Sequence, residues 1–140
     1  MQKAMKGFTL IELMITVVII SILATIIYPT YTQYVVKGNR SAAESYMLQL
    51  ASREEQYLAD SKTYSNSLTT LGRPQPAETV GKYNFSISVA TLSTDAGYLP
   101  GVALPQYIIT ATPVGGGPQT ADGILVLSSD GNKSPAGKWK

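Results

Sequence analysis

The sequence predicts an α+β protein, in which a long N-terminal helix packs through its C-terminal half on an antiparallel sheet of three to four strands. Three observations carry that prediction. An apolar run spans residues 8–28, helical periodicity resumes after Pro29 and continues to about Ser61, and three short alternating runs follow residue 82. The expected organisation is a short basic leader over 1–7, an apolar half-helix over 8–28, an amphipathic half-helix over 29–61 and a loop-and-sheet head over 62–140.

The first element reads FTLIELMITVVIISILATIIY, with 16 apolar residues among 21. At about 1.5 Å per residue it rises roughly 31 Å, enough to cross a bilayer core of roughly 30 Å. β-Branched Ile and Val are tolerated in such a helix, because lipid leaves the backbone no other way to satisfy its hydrogen bonds. A secretory signal peptide is the competing reading, with Lys3 and Lys6 as its basic region and Ala24 near a cut. The run is longer than the usual apolar region of such a peptide, and no small-x-small pattern closes it. Glu12 is the anomaly. A carboxylate inside hydrocarbon is costly and marks a partner or a job. The span holds no Lys, Arg or His to pair with it. A cut before Phe8 would create an ammonium four residues away, on the same chain or on a neighbour.

Pro29 removes one helix donor and crowds the preceding turn, so it kinks or ends the run. Beyond it Ala43, Met47, Leu50 and Leu58 form one stripe, with Tyr46 and Tyr57 beside it, while Arg40, Glu44, Gln49, Arg53 and Asp60 point elsewhere. That is an amphipathic helix in need of a partner. Gly38-Asn39 weakens it locally, by roughly 1 kcal/mol for the glycine. Tyr28, Tyr31 and Tyr34 suit a membrane interface, and packing between helices explains them equally well.

From Thr63 to Lys82 the chain is rich in Ser, Thr, Pro and Gly and reads as a loop. Tyr83, Phe85, Ile87 and Val89 then alternate with polar residues, the pattern of a half-buried strand. Further strands are expected over 106–112 and 123–128, and Asp130-Gly131 signals a turn into a short last strand near Lys133. The connections 92–105 and 113–122 carry no helical pattern long enough for a parallel crossover, so an antiparallel meander follows.

Composition excludes much chemistry. The chain has no cysteine and no histidine, which removes disulfides, thiol nucleophiles, imidazole bases and His-ligated zinc. No nucleophile elbow, P-loop or dinucleotide fingerprint occurs, so no enzyme, cofactor or metal site is expected. Gly115-Gly116-Gly117 lacks the strand-to-helix context of an anion cradle and reads as a loop. Asp122 and Asp130 read as turn residues rather than calcium ligands, and Glu54-Glu55 as a solvated or inter-subunit face.

Lys6-Gly7-Phe8-Thr9-Leu10-Ile11-Glu12-Leu13 resembles the processing motif of type IV pilins and pseudopilins, in the short-leader (IVa) branch. The resemblance implies that a prepilin peptidase cuts between Gly7 and Phe8, that Phe8 is N-methylated, and that Glu12 and Phe8 serve subunit assembly. It also implies that Pro29 is a kink inside a longer helix. The implied partners are other pilin subunits, prepilin peptidase, the inner-membrane pilus assembly machinery, and the lipid bilayer before assembly. The implied location is the bacterial inner membrane as a single-pass prepilin and then a surface pilus serving adhesion or twitching motility. More weakly, Thr110-Ala111-Thr112-Pro113, Gln119, Asp122, Asp130-Gly131-Asn132-Lys133 and Trp139 resemble PilE-type minor pilins. Those proteins commonly close a C-terminal loop with two cysteines, where Gly123 and Lys138 stand here. Two rivals remain: a pseudopilin of a type II secretion system and an unrelated bitopic membrane-anchored binding protein. Nucleic acid is not indicated, because the formal +2 charge resides in the leader. Loss of Lys3 and Lys6 leaves nine basic residues against nine acidic ones.

Overall fold

The computed structural model describes residues 7–92 and 104–139. One helix, α1 (Leu10–Ser61), is followed by strands β1 (Tyr83–Leu92), β2 (Leu104–Pro113), β3 (Leu125–Ser128) and β4 (Lys133–Ser134), with a 3-10 helix at Pro118–Asp122. The chain forms two compact units, Met1–Val35 and Val36–Lys140, and α1 contributes to both.

In the first unit α1 runs through Pro29 without ending there. Proline lacks an N–H, so the Thr25 carbonyl loses its ordinary helical donor and one rung of the ladder is missing. The polar side chains of this apolar stretch satisfy themselves within the helix. Thr16 donates to the Glu12 carbonyl at 2.7 Å, Ser21 to Val17 at 2.8 Å and Thr25 to Ile22 at 2.7 Å. Such back-bonding leaves no hydroxyl seeking water in an apolar medium.

In the second unit the four strands lie in the order β1-β2-β3-β4, each antiparallel to its neighbour. This is the expected meander. Tyr83 and Ile87 are buried and Phe85 and Val89 half-buried, while Asn84, Ser86 and Ser88 face solvent, so the alternation read from the sequence sets the pleat. Tyr107, Ile109, Ala111, Leu125 and Leu127 complete the inner face. The middle strand extends beyond its expected 106–112 at both ends. The third is shorter than 123–128, because Gly123 adopts a φ of +81° that breaks the pleat. The expected turn forms at Asp130-Gly131, where Asp130 Oδ1 accepts the Asn132 N–H at 3.0 Å. Of the expected 92–105 loop, residues 93–103 lie outside the described residues.

The stem's Ala43, Tyr46, Met47 and Leu50 join the sheet's inner residues in one core, with Tyr57 packed against it. The Tyr46 ring meets Phe85 edge-on at 4.8 Å, and its hydroxyl donates to the Arg73 carbonyl at 2.8 Å, fastening the 63–82 loop. The expected stripe needs three corrections. Leu58 is only half-buried, whereas Glu44, expected on the outer face, is buried. Nor is Glu54-Glu55 a solvated face. Glu54 is fully buried and accepts the Ser65 N–H at 2.9 Å, while Glu55 stays exposed and accepts the Tyr64 hydroxyl. The loop returning over the helix end needs an acceptor for the Ser65 amide, and Glu54 supplies it.

Burial pushes the Glu54 carboxyl above its ordinary 4.5; the Ser65 N–H opposes that shift and the Glu55 charge adds to it. Between 4.5 and that raised value the native state therefore holds a proton that the unfolded chain releases. Stability from this group is full below 4.5 and is lost as pH rises toward the raised value. Glu54→Gln is expected to raise the melting temperature at pH 7.5, with the gain vanishing near pH 4. Thermal unfolding followed by circular dichroism across that range checks it; a penalty that is the same at all pH values would contradict it.

Candidate functional site

Two polar constellations stand out, one at each end of the described chain. At the amino-terminal end Gly7 and Phe8 precede α1. A Cβ built on Gly7 meets nothing within 4 Å, and Phe8 is 82% exposed, so the backbone between them is open to approach. Thr9 and Glu12 form a reciprocal cap. The Thr9 N–H and hydroxyl donate to Glu12 Oε2 at 2.8 and 2.7 Å, and the Glu12 N–H donates to the Thr9 hydroxyl at 3.3 Å. The carboxylate thus has a partner within its own chain, one turn back. The Thr-x-x-Glu spacing is itself the sequence signature of this cap, and the helix N-terminus favours an anion there.

From Leu10 to Ile27 the large apolar side chains are all more than half exposed. Ile20, Leu23, Ala24, Ile27, Tyr28 and Tyr31 line a shallow apolar groove along this stretch. An apolar surface of this extent requires a nonaqueous environment or a protein neighbour.

In the second unit the polar centre is Asp122, whose side chain is fully buried at the end of the 3-10 helix. It is far more than the turn residue expected. Arg40 from α1 pairs with its Oδ1, and Tyr83 from β1 donates to its Oδ2. Gln119 Nε2 donates to Oδ2 at 3.1 Å and to the Tyr83 hydroxyl oxygen at 2.6 Å, while its Oε1 accepts from Asn39 at 3.0 Å. From the C-terminal segment, Lys138 Nζ donates to the Asp122 carbonyl and lies 4.0 Å from Oδ1. Burial raises the Tyr83 hydroxyl above its ordinary value of 10, which keeps it a proton donor to the carboxylate.

One carboxylate therefore joins helix, sheet, 3-10 helix and tail. Gly123 and Lys138 stand where the two cysteines would be, and the Lys138 side chain reaches Gly123: a Cβ on Gly123 would lie 3.7 Å from Lys138 Nζ. Charge and hydrogen bonding hold the C-terminal segment. Trp139 is fixed by more than burial, since its indole N–H donates to the Ser134 carbonyl at 3.1 Å and Lys133 Nζ sits 5.2 Å from its ring centre. Asp130 remains an exposed turn residue. Among the described residues no three His, Cys, Asp or Glu side chains are grouped to hold a metal ion.

Comparison with known proteins gives two family matches. The family described as type IV minor pilin ComP, DNA uptake sequence receptor, matches residues 29–123, and the prokaryotic N-terminal methylation motif matches residues 2–28. A fimbrial protein of Pseudomonas aeruginosa is 37% identical over 96 residues, covering 69% of this chain and 57% of that protein. The type IV major fimbrial protein FimA of Dichelobacter nodosus is 35% identical over 109 residues, covering 69% of this chain and 70% of that protein. A fimbrial protein of Neisseria meningitidis is 34% identical over 89 residues, covering 64% and 52%. The chain spans a little over half the length of the Pseudomonas relative.

Removing the Asp122 charge leaves the largely buried Arg40 without its anion, while Lys138, farther off and partly open to solvent, loses less. Asp122→Asn is expected to destabilise the second unit by about 3 kcal/mol, the lower end for breaking a buried pair. Urea unfolding of the full chain in detergent, followed through Trp139 emission, measures it. A change below about 0.5 kcal/mol, the scale of an exposed ion pair, would assign the cluster to surface decoration.

Proposed function

Because the chain belongs to the type IV pilin family, we propose that it is a minor subunit of a type IV pilus, made as a prepilin and assembled into a surface filament. The observation that carries the reading is the methylation-motif match over residues 2–28, which overlies an open Gly7-Phe8 junction and an uncovered apolar helix. In this reading Lys3 and Lys6 keep the leader cytoplasmic, and the helix from residue 8 to 28 spans the inner membrane. Prepilin peptidase cuts after Gly7, and Phe8 becomes the methylated N-terminus.

The assembly machinery then moves the helix from lipid to filament core, where neighbouring subunits cover the same apolar surface. Glu12 exchanges its Thr9 cap for the ammonium of a neighbour's Phe8, and the rung missing at Pro29 eases local loosening. The head forms the outer surface and serves adhesion or twitching motility, with no enzymatic role. The fimbrial relatives favour a pilus over a secretion pseudopilus.

A second reading rests on the printed description of the matched family, a DNA uptake sequence receptor. The processed chain is formally neutral, so any contact with DNA would depend on local cations such as exposed Lys37 and Lys133. Gel-shift titration with duplex DNA tests it. A steep salt dependence that Lys37→Ala and Lys133→Ala reduce would support it, and no shift at 50 mM salt would remove it.

For the main reading, intact-mass measurement of purified protein is expected to show a chain beginning at methylated Phe8, and Gly7→Val should abolish cleavage. Glu12→Val should give a stable membrane protein that is reduced at least tenfold in sheared surface filaments. Normal incorporation of Glu12→Val, or an unprocessed native N-terminus, would overturn the assignment.

A further inference from the structure

The triplet Asn-x-Ser occurs at Asn39-Arg40-Ser41, Asn84-Phe85-Ser86 and Asn132-Lys133-Ser134. In a protein carried across a membrane, such a triplet on an exposed loop is an acceptor for N-linked sugar. The fold gives each of them a different setting. Asn39 lies inside α1, half-buried, with its side-chain amide donating to Gln119 Oε1 at 3.0 Å. Asn84 is exposed but belongs to β1, where it is paired opposite Thr112 in the ladder with β2. Asn132 stands in the connection between β3 and β4, and every residue from Asp130 to Ser134 is exposed. A transferase must bend the acceptor segment around its own groups. A helix interior and a paired strand resist that bending, whereas a surface turn permits it.

Local geometry presents the Asn132 amide. Asp130 Oδ1 accepts the Asn132 backbone N–H at 3.0 Å, and Oδ2 accepts one side-chain amide hydrogen at 2.6 Å. A side-chain amide carries two hydrogens, so one remains for exchange while the carboxylate keeps the other. The bond that orients the group therefore survives its modification. The Asn132 carbonyl accepts the Ser128 N–H at 3.0 Å, which anchors the main chain from which the amide projects. Side chains alternate along a strand, so Ser134 shares a face with Asn132. Lys133 takes the other face, its Nζ 5.2 Å from the Trp139 ring centre. Ser134 uses its carbonyl, not its hydroxyl, to accept the Trp139 indole N–H.

We propose that Asn132, presented by Asp130, is an acceptor for an N-linked glycan whose donor is a lipid-pyrophosphate-linked oligosaccharide. The inference rests on the reading above that the head lies outside the inner membrane. In the transfer, Asn132 Nδ2 forms a bond to the anomeric carbon of the reducing-end sugar. The bond from that carbon to the pyrophosphate oxygen breaks, and the lipid pyrophosphate departs with the electron pair. One Nδ2 proton passes to a base of the transferase, and nothing is oxidised or reduced. The Ser134 hydroxyl is the group by which the transferase recognises the segment, and Asp130 positions the amide. Attached there, the glycan projects into solvent from the β3–β4 turn, clear of the core residues of the head.

The full chain is purified from the cells that naturally express it and digested, and the peptide carrying residues 130–134 is fragmented by electron transfer, which leaves sugar bonds intact. The expected result is a glycan mass on the Asn132 side chain. Asn132→Gln and Ser134→Ala should each abolish it, and Ser134→Thr, which restores the hydroxyl, should retain it. Asp130→Ala should lower the modified fraction severalfold with an unchanged circular dichroism spectrum, and Asn84→Gln should leave that fraction unchanged. Bare Asn132, sugar on a hydroxyl in place of the asparagine, a glycan that persists in Ser134→Ala, or an unchanged fraction in Asp130→Ala would each overturn the proposal. The same digest reads the N-terminal peptide. Methylated Phe8 together with bare Asn132 overturns this inference alone, whereas a glycan on Asn132 behind an unprocessed N-terminus overturns the assembly reading alone.

Discussion

From Leu10 to Ile27 every large apolar side chain is more than half exposed among the described residues. For a single isolated segment, helix is the arrangement that satisfies every backbone amide in hydrocarbon, the alternative being a closed barrel of many strands. In the proposed membrane-spanning role, that demand accounts for a helical Ile- and Val-rich sequence, a weak helix former in water, and suits the hydroxyls of Thr16, Ser21 and Thr25, which turn back onto the helix. It explains equally why the stem beyond Val35 changes character. Once a sheet supplies the covering surface, burial shifts to Ala43, Tyr46, Met47 and Leu50 on one side of the helix.

The head solves a different problem. Its four-stranded meander has a small core, and a short β4 at its edge leads directly into the C-terminal segment. With no cysteine in the chain, closure falls to the interactions converging on Asp122. A carboxylate shared by Arg40, Lys138, Tyr83 and Gln119 is unlike a disulfide in one important respect. A covalent bridge stabilises chiefly by restricting the unfolded chain, whereas the ionic cluster acts only in the folded state and depends on complete satisfaction of its members. Closure of this head is therefore insensitive to reductant and sensitive to any change that removes a single charge.

The sequence discloses these features unevenly, for physical reasons. Periodic patterns were legible: Tyr83, Phe85, Ile87 and Val89 announce their strand because a pleat has period two, and the stem's stripe follows the helical period. The Thr9–Glu12 cap is equally legible in its Thr-x-x-Glu spacing, in which a hydroxyl and an amide, rather than a cation, serve the carboxylate. Arg40, Glu44 and Glu54 were misplaced because polarity is a poor guide wherever a distant partner exists. Arg40 meets Asp122 across most of the head sequence, and Glu54 is buried by a loop whose course no local pattern fixes. The role of Lys138 depended on which backbone carbonyl the tail would meet, information that resides in tertiary structure alone.

The cap on Glu12 bears on how a carboxylate in the apolar helix can be both tolerated and useful. An unpartnered anion there would resist insertion. Thr9 supplies two neutral donors, enough to hold the carboxylate in one geometry at the helix N-terminus. The Thr9 bonds are already charge-assisted on the acceptor side, but a neutral donor stabilises the anion less than a cation does, because an ammonium adds the attraction of a second full charge. The cap therefore keeps the charge in place without saturating it. In the proposed assembly, an incoming ammonium displaces Thr9 with a net gain, while any neighbour lacking that cation in register gains nothing. On this argument selectivity for a correctly processed and correctly staggered subunit arises from the gap between a sufficient partner and a better one.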